Sequence, residues 1–154
     1  MLAVDFVVVT DHNVLVQGVC GYYGDEASGY VLLLTGEEIH DRTRLPQVNH
    51  LLVYNVPHEV VQYAPDPQRL LYAVNNVGGL SFIAHPFDHR VPWMRPFGLG
   101  QQIPWTSWEV SGYTGLEIWN FMSDWKEGAT SFRAGLRALF RPDAVVTGPR
   151  PATL

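Results

Sequence analysis

Five short apolar runs, each bounded by polar residues, constrain the fold of this 154-residue chain more than any other feature. Each run has about the length of a β-strand. The runs cover residues 2–9, 30–35, 51–54, 80–84 and 116–119. The first run is rich in β-branched residues and reads as a fully buried strand of a parallel sheet. Strands that alternate with helices indicate an α/β fold.

Helical signals lie between and after these runs. Pro67 suits a first helical turn, the apolar residues of 67–76 share one face, and two glycines at 78–79 end the segment. The Gly-rich connection over 14–23 has room for another short helix. The pattern over 130–140 predicts an amphipathic helix with four inward residues: Phe132, Leu136, Leu139 and Phe140. We expect residues 86–112 to form a long functional loop and the Pro-rich tail, 141–154, to be irregular.

Composition narrows the classes of function. The chain has 10 Lys and Arg against 15 Asp and Glu, a net charge of −5, so binding to nucleic acid is disfavoured. No run approaches the ~20 apolar residues that span a bilayer, so we expect no membrane segment. The single cysteine, Cys20, excludes an intrachain disulfide and favours a reducing compartment, which we take to be the cytoplasm.

Histidine side chains lie at the ends of three apolar runs. His12 follows the first run, His50 precedes the third and His85 follows the fourth. Glu38 comes three residues after the second run. Imidazole and carboxylate groups together suit Zn, Mn or Fe, so these residues are candidate metal ligands.

Each residue also has a structural explanation. A single histidine at a strand end is more often structural than a ligand. Asp11 would serve as a turn cap, and solvent exposure accounts for His40 equally well. We expect Glu37 to be solvated and Cys20 to be a small buried hydrophobe. Two further histidines are expected in polar loops: His58 and His89.

The order of the motifs along the chain favours the hypothesis that these residues bind metal. The chain carries Thr-Asp-His-Asn, Gly-Glu-Glu-Ile, Asn-His-Leu-Leu-Val-Tyr, Ile-Ala-His-Pro and Gly-Leu-Glu-Ile-Trp-Asn, in that order, between residues 10 and 120. This succession resembles the PHP (polymerase and histidinol phosphatase) superfamily of metal-dependent phosphoesterases, and within it the CehA/McbA-type metallohydrolases. The resemblance covers about residues 4–120. It implies a distorted (β/α)₇ PHP-type barrel.

The resemblance also implies a metal centre of two or three divalent ions, with Mn, Zn and Fe left open. His12 would bind one ion, with Asp11 supporting it. Glu38 would bridge two ions, and His50 and His85 would complete the shell of one of them. Glu38 and Asp11 are the expected catalytic residues.

Three further residues are expected near the substrate. Glu117 and Asn120 match a family segment and would line the floor of the pocket, and His40, close to Glu38, would contact substrate. The implied activity is hydrolysis of a small phosphoester by a metal-bridged hydroxide. Three alternatives stay open: carbamate or ester hydrolysis at the same site, a non-catalytic structural or interaction domain, and a small-molecule binding module of another α/β fold.

The chain also departs from the family pattern. No His-x-His segment precedes His12, and no Asp-x-His segment follows Asn120. We therefore expect residues 1–154 to be a single partial PHP domain, incomplete at both ends. Its motif-bearing core would be 4–120, followed by a helix and tail over 121–154. The alternative is a degenerate homologue that lost part of its site.

Overall fold

A computed structural model of the chain describes residues 4–97, 100–129 and 131–141. Within these residues, the strands are β1 (Phe6–His12), β2 (Gly21–Asp25), β3 (Gly29–Ile39), β4 (Leu51–Tyr54), β5 (Leu80–Ile83) and β6 (Gly115–Leu116). The α-helices are α1 (Pro67–Asn76), α2 (Phe121–Gly128) and α3 (Phe132–Phe140). Two 3₁₀-helices cover Val61–Tyr63 and Pro92–Phe97.

The described strands form one mixed sheet in the order β1-β3-β4-β5-β6, with β2 also paired to β3. The pairs β1–β3 and β5–β6 are parallel, whereas β2–β3, β3–β4 and β4–β5 are antiparallel. The long strand β3 accommodates β2 beside its first half and β4 beside its last four residues. The edge strands β1 and β6 do not pair with each other, so the sheet is open.

The prediction of a partial (β/α)₇ barrel is therefore wrong. A barrel of that kind, like other α/β barrels, needs successive parallel strands joined by helical crossovers. In this chain β2 and β3 form a hairpin instead, and β4 runs antiparallel to both of its neighbours. The sequence pattern located most strands but carried no information on their direction.

The helix considered over 14–23 is also wrong, because part of that segment forms β2. Gly18 and Gly21 have positive φ, which a helix does not allow. Asp25 closes the hairpin: its Oδ1 accepts the backbone N–H groups of Ala27 and Ser28. Glycine spacing and turn chemistry thus outweigh the apolar pattern here.

Helix α1 has the predicted bounds and the predicted buried face, formed by Leu70, Leu71 and Val74. Those side chains pack on the face of the sheet that carries Leu51, Val53 and Ile83. Asp66 caps the helix, since its Oδ1 accepts the backbone N–H of Arg69 at 3.1 Å.

Asp66→Ala should lower the free energy of unfolding by about 1 kcal/mol, because it leaves a backbone donor of the first turn without its partner. Urea denaturation measures this change. Glu109→Ala, which removes an exposed carboxylate outside any helix or strand, is the control and should stay within about 0.5 kcal/mol. Equal stability of the two variants would show that the cap contributes nothing.

Helix α3 lies where predicted but buries a different face. The four residues expected inward are all exposed, and the buried ones are Gly135 and Ala138. Gly135 packs on the Trp93 ring so closely that an added Cβ would lie 2.1 Å from a ring carbon. A small-residue stripe that accommodates a tryptophan therefore replaces the expected large apolar face.

Three other expectations have mixed outcomes. The segment β1 is a strand, but it is an edge strand with Phe6 and Val7 exposed, not a buried one. Cys20 is exposed rather than buried. The tail beyond Arg141 lies outside the described residues. Within the described ranges, no helix has the length and hydropathy needed to cross a membrane.

Candidate metal centre

Strand direction brings the candidate ligands to one edge of the sheet. Strands β1, β3, β5 and β6 run in one direction and β4 in the opposite one. The carboxyl ends of β1, β3 and β5 therefore meet the amino end of β4. His12 ends β1, Glu38 lies beside it near the end of β3, His50 directly precedes β4 and His85 follows β5.

The Glu38 carboxylate lies between two imidazoles. Its Oε1 is 2.7 Å from Nδ1 of His50 and 3.2 Å from Nε2 of His85. Its Oε2 is 4.0 Å from Nε2 of His12. Ligand atoms of Glu38, His50 and His85 all lie within 4.8 Å of one another, a spacing compatible with one shared ion. The three side chains thus converge as the sequence analysis expected.

The contact made by Nδ1 of His85 determines the protonation of its other nitrogen, Nε2, in a neutral ring. Nδ1 lies 3.0 Å from the carbonyl oxygen of Ile103, which can only accept, so Nδ1 carries a proton. In a neutral ring, Nε2 then directs a lone pair at Glu38 Oε1. Two acceptors facing each other at 3.2 Å require a cation or a second proton between them.

The backbone of His85 is held in an unusual conformation. Its φ is +29°, a region that residues other than glycine seldom adopt. Its N–H donates to Oε2 of Glu117 at 2.6 Å, and that carboxylate also accepts from Nδ2 of Asn120. Strain of this kind concentrates at functional sites and persists only where neighbouring contacts enforce it. Glu117 therefore positions His85 from behind.

The electrostatics of the cluster favour an ionised carboxylate. Burial raises the pKa of Glu38, but hydrogen bonds from His50 and His85 outweigh it and hold that pKa well below its usual range. Burial lowers the pKa of His50 despite the neighbouring carboxylate. Burial also lowers the pKa of His85, but the Glu38 hydrogen bond reverses the effect and the net shift is upward.

A second group of imidazoles adjoins the first. Ligand atoms of His12, His40 and His50 lie within 4.8 Å of one another. His40 stacks on His50 with ring centroids 4.4 Å apart, and the pKa of His40 falls to about 4 through burial and through its imidazole neighbours. Asn13 accepts the His40 backbone N–H through Oδ1, and its Nδ2 lies 3.3 Å from the ring nitrogens, so it holds His40 in place, a role that the sequence did not reveal. Nε2 of His50 is buried and has no hydrogen-bond partner among the described residues.

The remaining predicted site residues take different places. Asn120 lines the cavity and also caps α2 by accepting the Ser123 N–H. Asp11 is exposed and alternates with His12 on β1, so its side chain points to the opposite face of the strand and away from the His12 ring that it was expected to support. Glu37 was expected to be solvated, which is wrong: it is fully buried on the face that packs against the core.

Several residues that shape the cavity escaped the sequence analysis. The cavity has a volume of about 250 Å³, and beside the metal candidates it is lined by Asp88, Ile103, Met122, Ser123 and Lys126. Three of these belong to α2, a helix that was not predicted. Asn120 is a good N-cap and was the available signal for that helix.

Comparison with known proteins finds no family model that matches the chain, no similar curated protein and no similar solved structure. The PHP resemblance thus has no support beyond the motifs themselves. The site has to be interpreted from its own geometry.

That geometry fits a divalent cation. The donor set of one carboxylate and two or three imidazoles is typical of Zn, Mn and Fe sites. The acceptor pair at Glu38 and His85 and the unpartnered Nε2 of His50 are each satisfied by a bound cation. Ionised Glu38 and His50 with its lowered pKa need not lose a proton before binding at neutral pH.

Proposed function

We propose that this chain is a metal-dependent hydrolase whose centre is formed by Glu38, His50 and His85. The observation that carries the proposal is the contact between Glu38 Oε1 and Nε2 of His85, whose other nitrogen is committed to the Ile103 carbonyl. With Nδ1 committed, the gap between Nε2 and Oε1 holds either a second proton, as in an imidazolium paired with Glu38, or a cation, and we propose that it is the site of a cation. The convergence of Glu38, His50 and His85, whose ligand atoms lie within 4.8 Å of one another, supports this choice.

The second group of imidazoles supports a second ion beside the first. His12, 60% exposed, reaches the cavity from the edge of the sheet, and His40 is neutral near pH 7. Glu38 lies between the two groups, with Oε1 toward His50 and His85 and Oε2 toward His12. One carboxylate would therefore serve both positions, and we propose two ions, with Mn, Zn and Fe as candidates.

The chain's own residues then perform the following tasks. A divalent ion held here supplies Lewis acidity and lowers the pKa of a bound water toward ~7. The Ile103 carbonyl and the Glu117 carboxylate fix the ring and the backbone of His85. Burial keeps His50 neutral, so its lone pair is available. Asn120 lines the wall of the cavity and holds the Glu117 carboxylate through its Nδ2.

The substrate we propose is a small phosphoester. A cavity of about 250 Å³ admits a phosphoryl group and a modest substituent. The net charge of −5 disfavours nucleic acid as a partner. The single cysteine, which is exposed, accords with a reducing compartment, and we place the activity in the cytoplasm. Ester or carbamate hydrolysis at the same centre is the second candidate, because an activated water also attacks a carbonyl.

Turnover of p-nitrophenyl phosphate and bis(p-nitrophenyl) phosphate, with Mn²⁺ or Zn²⁺ supplied, tests the proposal. We expect metal-dependent release of p-nitrophenol and a loss of at least about tenfold in His85→Ala, since ligand support alone is worth about 10–100-fold. His58→Ala, at an exposed histidine outside the cluster, is the control and should retain the activity. Metal-independent turnover, or equal rates in both variants, would contradict the proposal.

A further inference from the structure

We propose that Lys126 is the anion-binding residue of this cavity and that it selects substrates with a negatively charged phosphoryl group over neutral esters. This inference rests on the proposed function and names the substrate class. Lys126 is the one lysine of the sequence, and it lies on α2. Its side chain lines the same cavity as Glu38, His50 and His85.

The ammonium group of Lys126 has one donor left for a ligand. Nζ donates to Oδ2 of Asp88 at 2.6 Å and to the backbone carbonyl of Gln101 at 2.9 Å. An ammonium group carries three N–H bonds. The side chain is only 13% exposed and lines both this cavity and the one beside α2 and α3, and our proposal assigns the third N–H to a molecule bound in the cavity of the candidate site.

Asp88 holds this ammonium group in a fixed position. It is 3% exposed, its Oδ1 accepts from Oγ of Ser123, and its Oδ2 accepts from the Ile103 N–H as well as from Lys126. These hydrogen bonds outweigh burial and lower the pKa of Asp88, so it is an anion at neutral pH. A lysine already ordered in this way loses little side-chain entropy when it binds a ligand.

The same contacts exclude Asp88 from the ligand set. Three donors already occupy its two oxygens, and one of them is the Lys126 ammonium group, whose positive charge disfavours a second cation at the same carboxylate. The cavity thus has two chemically different walls. One wall carries the imidazoles and Glu38, and the other carries the ammonium group of Lys126.

A phosphoryl group suits two such walls better than a carbonyl group does. It presents several anionic oxygens, so one can face the metal wall while another accepts from Lys126 in a charge-assisted hydrogen bond. A neutral ester or carbamate carries no anionic oxygen, so it gains much less from the ammonium group. Among the described residues that line this cavity, no other lysine or arginine could replace Lys126.

The test compares substrates that share one leaving group, p-nitrophenyl phosphate and p-nitrophenyl acetate, in wild type, Lys126→Met and Lys126→Arg. We expect Lys126→Met to lower kcat/KM for the phosphate by about tenfold or more, the effect of losing one hydrogen bond to a charged group, and to leave the acetate within about twofold. Lys126→Arg keeps the charge and should recover part of the loss. Arg69→Met, which removes an exposed charge distant in sequence, should leave kcat/KM unchanged for both substrates.

If Lys126 is purely structural, Lys126→Met should instead lower kcat/KM for both substrates by the same factor, and that result would overturn the inference. If Lys126→Met fails to fold because Asp88 is left buried without its partner, the double variant Asp88→Asn/Lys126→Met removes the charge pair and carries the same expectation.

Titration with inorganic phosphate, followed by calorimetry with and without Mn²⁺, separates this inference from the proposed function. Phosphate affinity that falls about tenfold in the lysine variants supports the inference even if no substrate is hydrolysed. Unchanged phosphate affinity in those variants overturns it even if the metal site is real.

Discussion

Glu38→Gln should lower the affinity of the chain for Mn²⁺ or Zn²⁺ by more than about a hundredfold and remove metal-dependent hydrolysis. Loss of a residue that merely supports a ligand costs about 10–100-fold, and Glu38 contacts both candidate positions directly. The substitution keeps the size of the side chain and removes its negative charge. Competition with a fluorescent chelator measures the affinity, and mass spectrometry measures the metal per chain.

A matched control distinguishes the effect of removing a negative charge at the site from the effect of removing one elsewhere on the chain. Glu109→Gln makes the same chemical change at an exposed position outside the cluster and should bind metal as the wild type does. His85→Ala removes one neutral ligand and leaves the carboxylate, so it should lose less metal than Glu38→Gln. Wild-type metal content in Glu38→Gln would exclude this residue from the site and remove the basis of the metal centre.

Glu37→Gln should stabilise the chain at pH 8 by about 3 kcal/mol and have little effect at pH 4. Burial, with a smaller contribution from Glu59, raises the pKa of Glu37 from 4.5 to about 7. Neither carboxyl oxygen makes a well-formed hydrogen bond to the described residues, although the Val60 backbone N–H is near enough to oppose the shift slightly. A shift of about 2.5 pKa units corresponds to roughly 3 kcal/mol.

The sign follows from the direction of the shift. Below pH 4.5 the carboxyl is protonated in both the folded and the unfolded state, so its ionisation makes no contribution to the difference in stability. Between about pH 4.5 and 7 the unfolded chain releases its proton and the folded chain retains it, so stability falls as pH rises. Above pH 7 the loss is complete. Urea denaturation of both proteins at several pH values gives the difference in unfolding free energy, and a difference independent of pH would contradict the account.

The convergence of the candidate ligands was more predictable from the sequence than the fold was. His12, His50 and His85 lie at the ends of apolar runs, and Glu38 lies three residues beyond one. Strands of one sheet that end at the same edge bring such residues together. The ligands converge although the sheet is mixed, because the antiparallel strand β4 contributes His50 from its amino end. Helix α1 was also predictable, since its first-turn proline, its apolar face and the glycines after it all indicate a helix over the same residues.

Neither the direction of the strands nor the burial of single residues could be predicted from the sequence. Apolar runs do not reveal whether β3 and β4 are parallel, and the barrel prediction failed for that reason. Glu37 and Glu38 are adjacent carboxylates, and only pairing along β3 decides which one faces the core and which one the cavity. The Asp88–Lys126 contact joins residues 38 positions apart, and no local pattern indicates it.

Anomalous X-ray diffraction from crystals of the Zn-loaded chain tests the central claim most directly. The account predicts a Zn peak about 2.0–2.2 Å from Glu38 Oε1, from a ring nitrogen of His50 and from Nε2 of His85. Rearrangement by a few tenths of an ångström separates Oε1 from the two nitrogens that it now contacts. Zn bound elsewhere, or no Zn peak beside Glu38 in crystals soaked with excess Zn²⁺, would contradict the account.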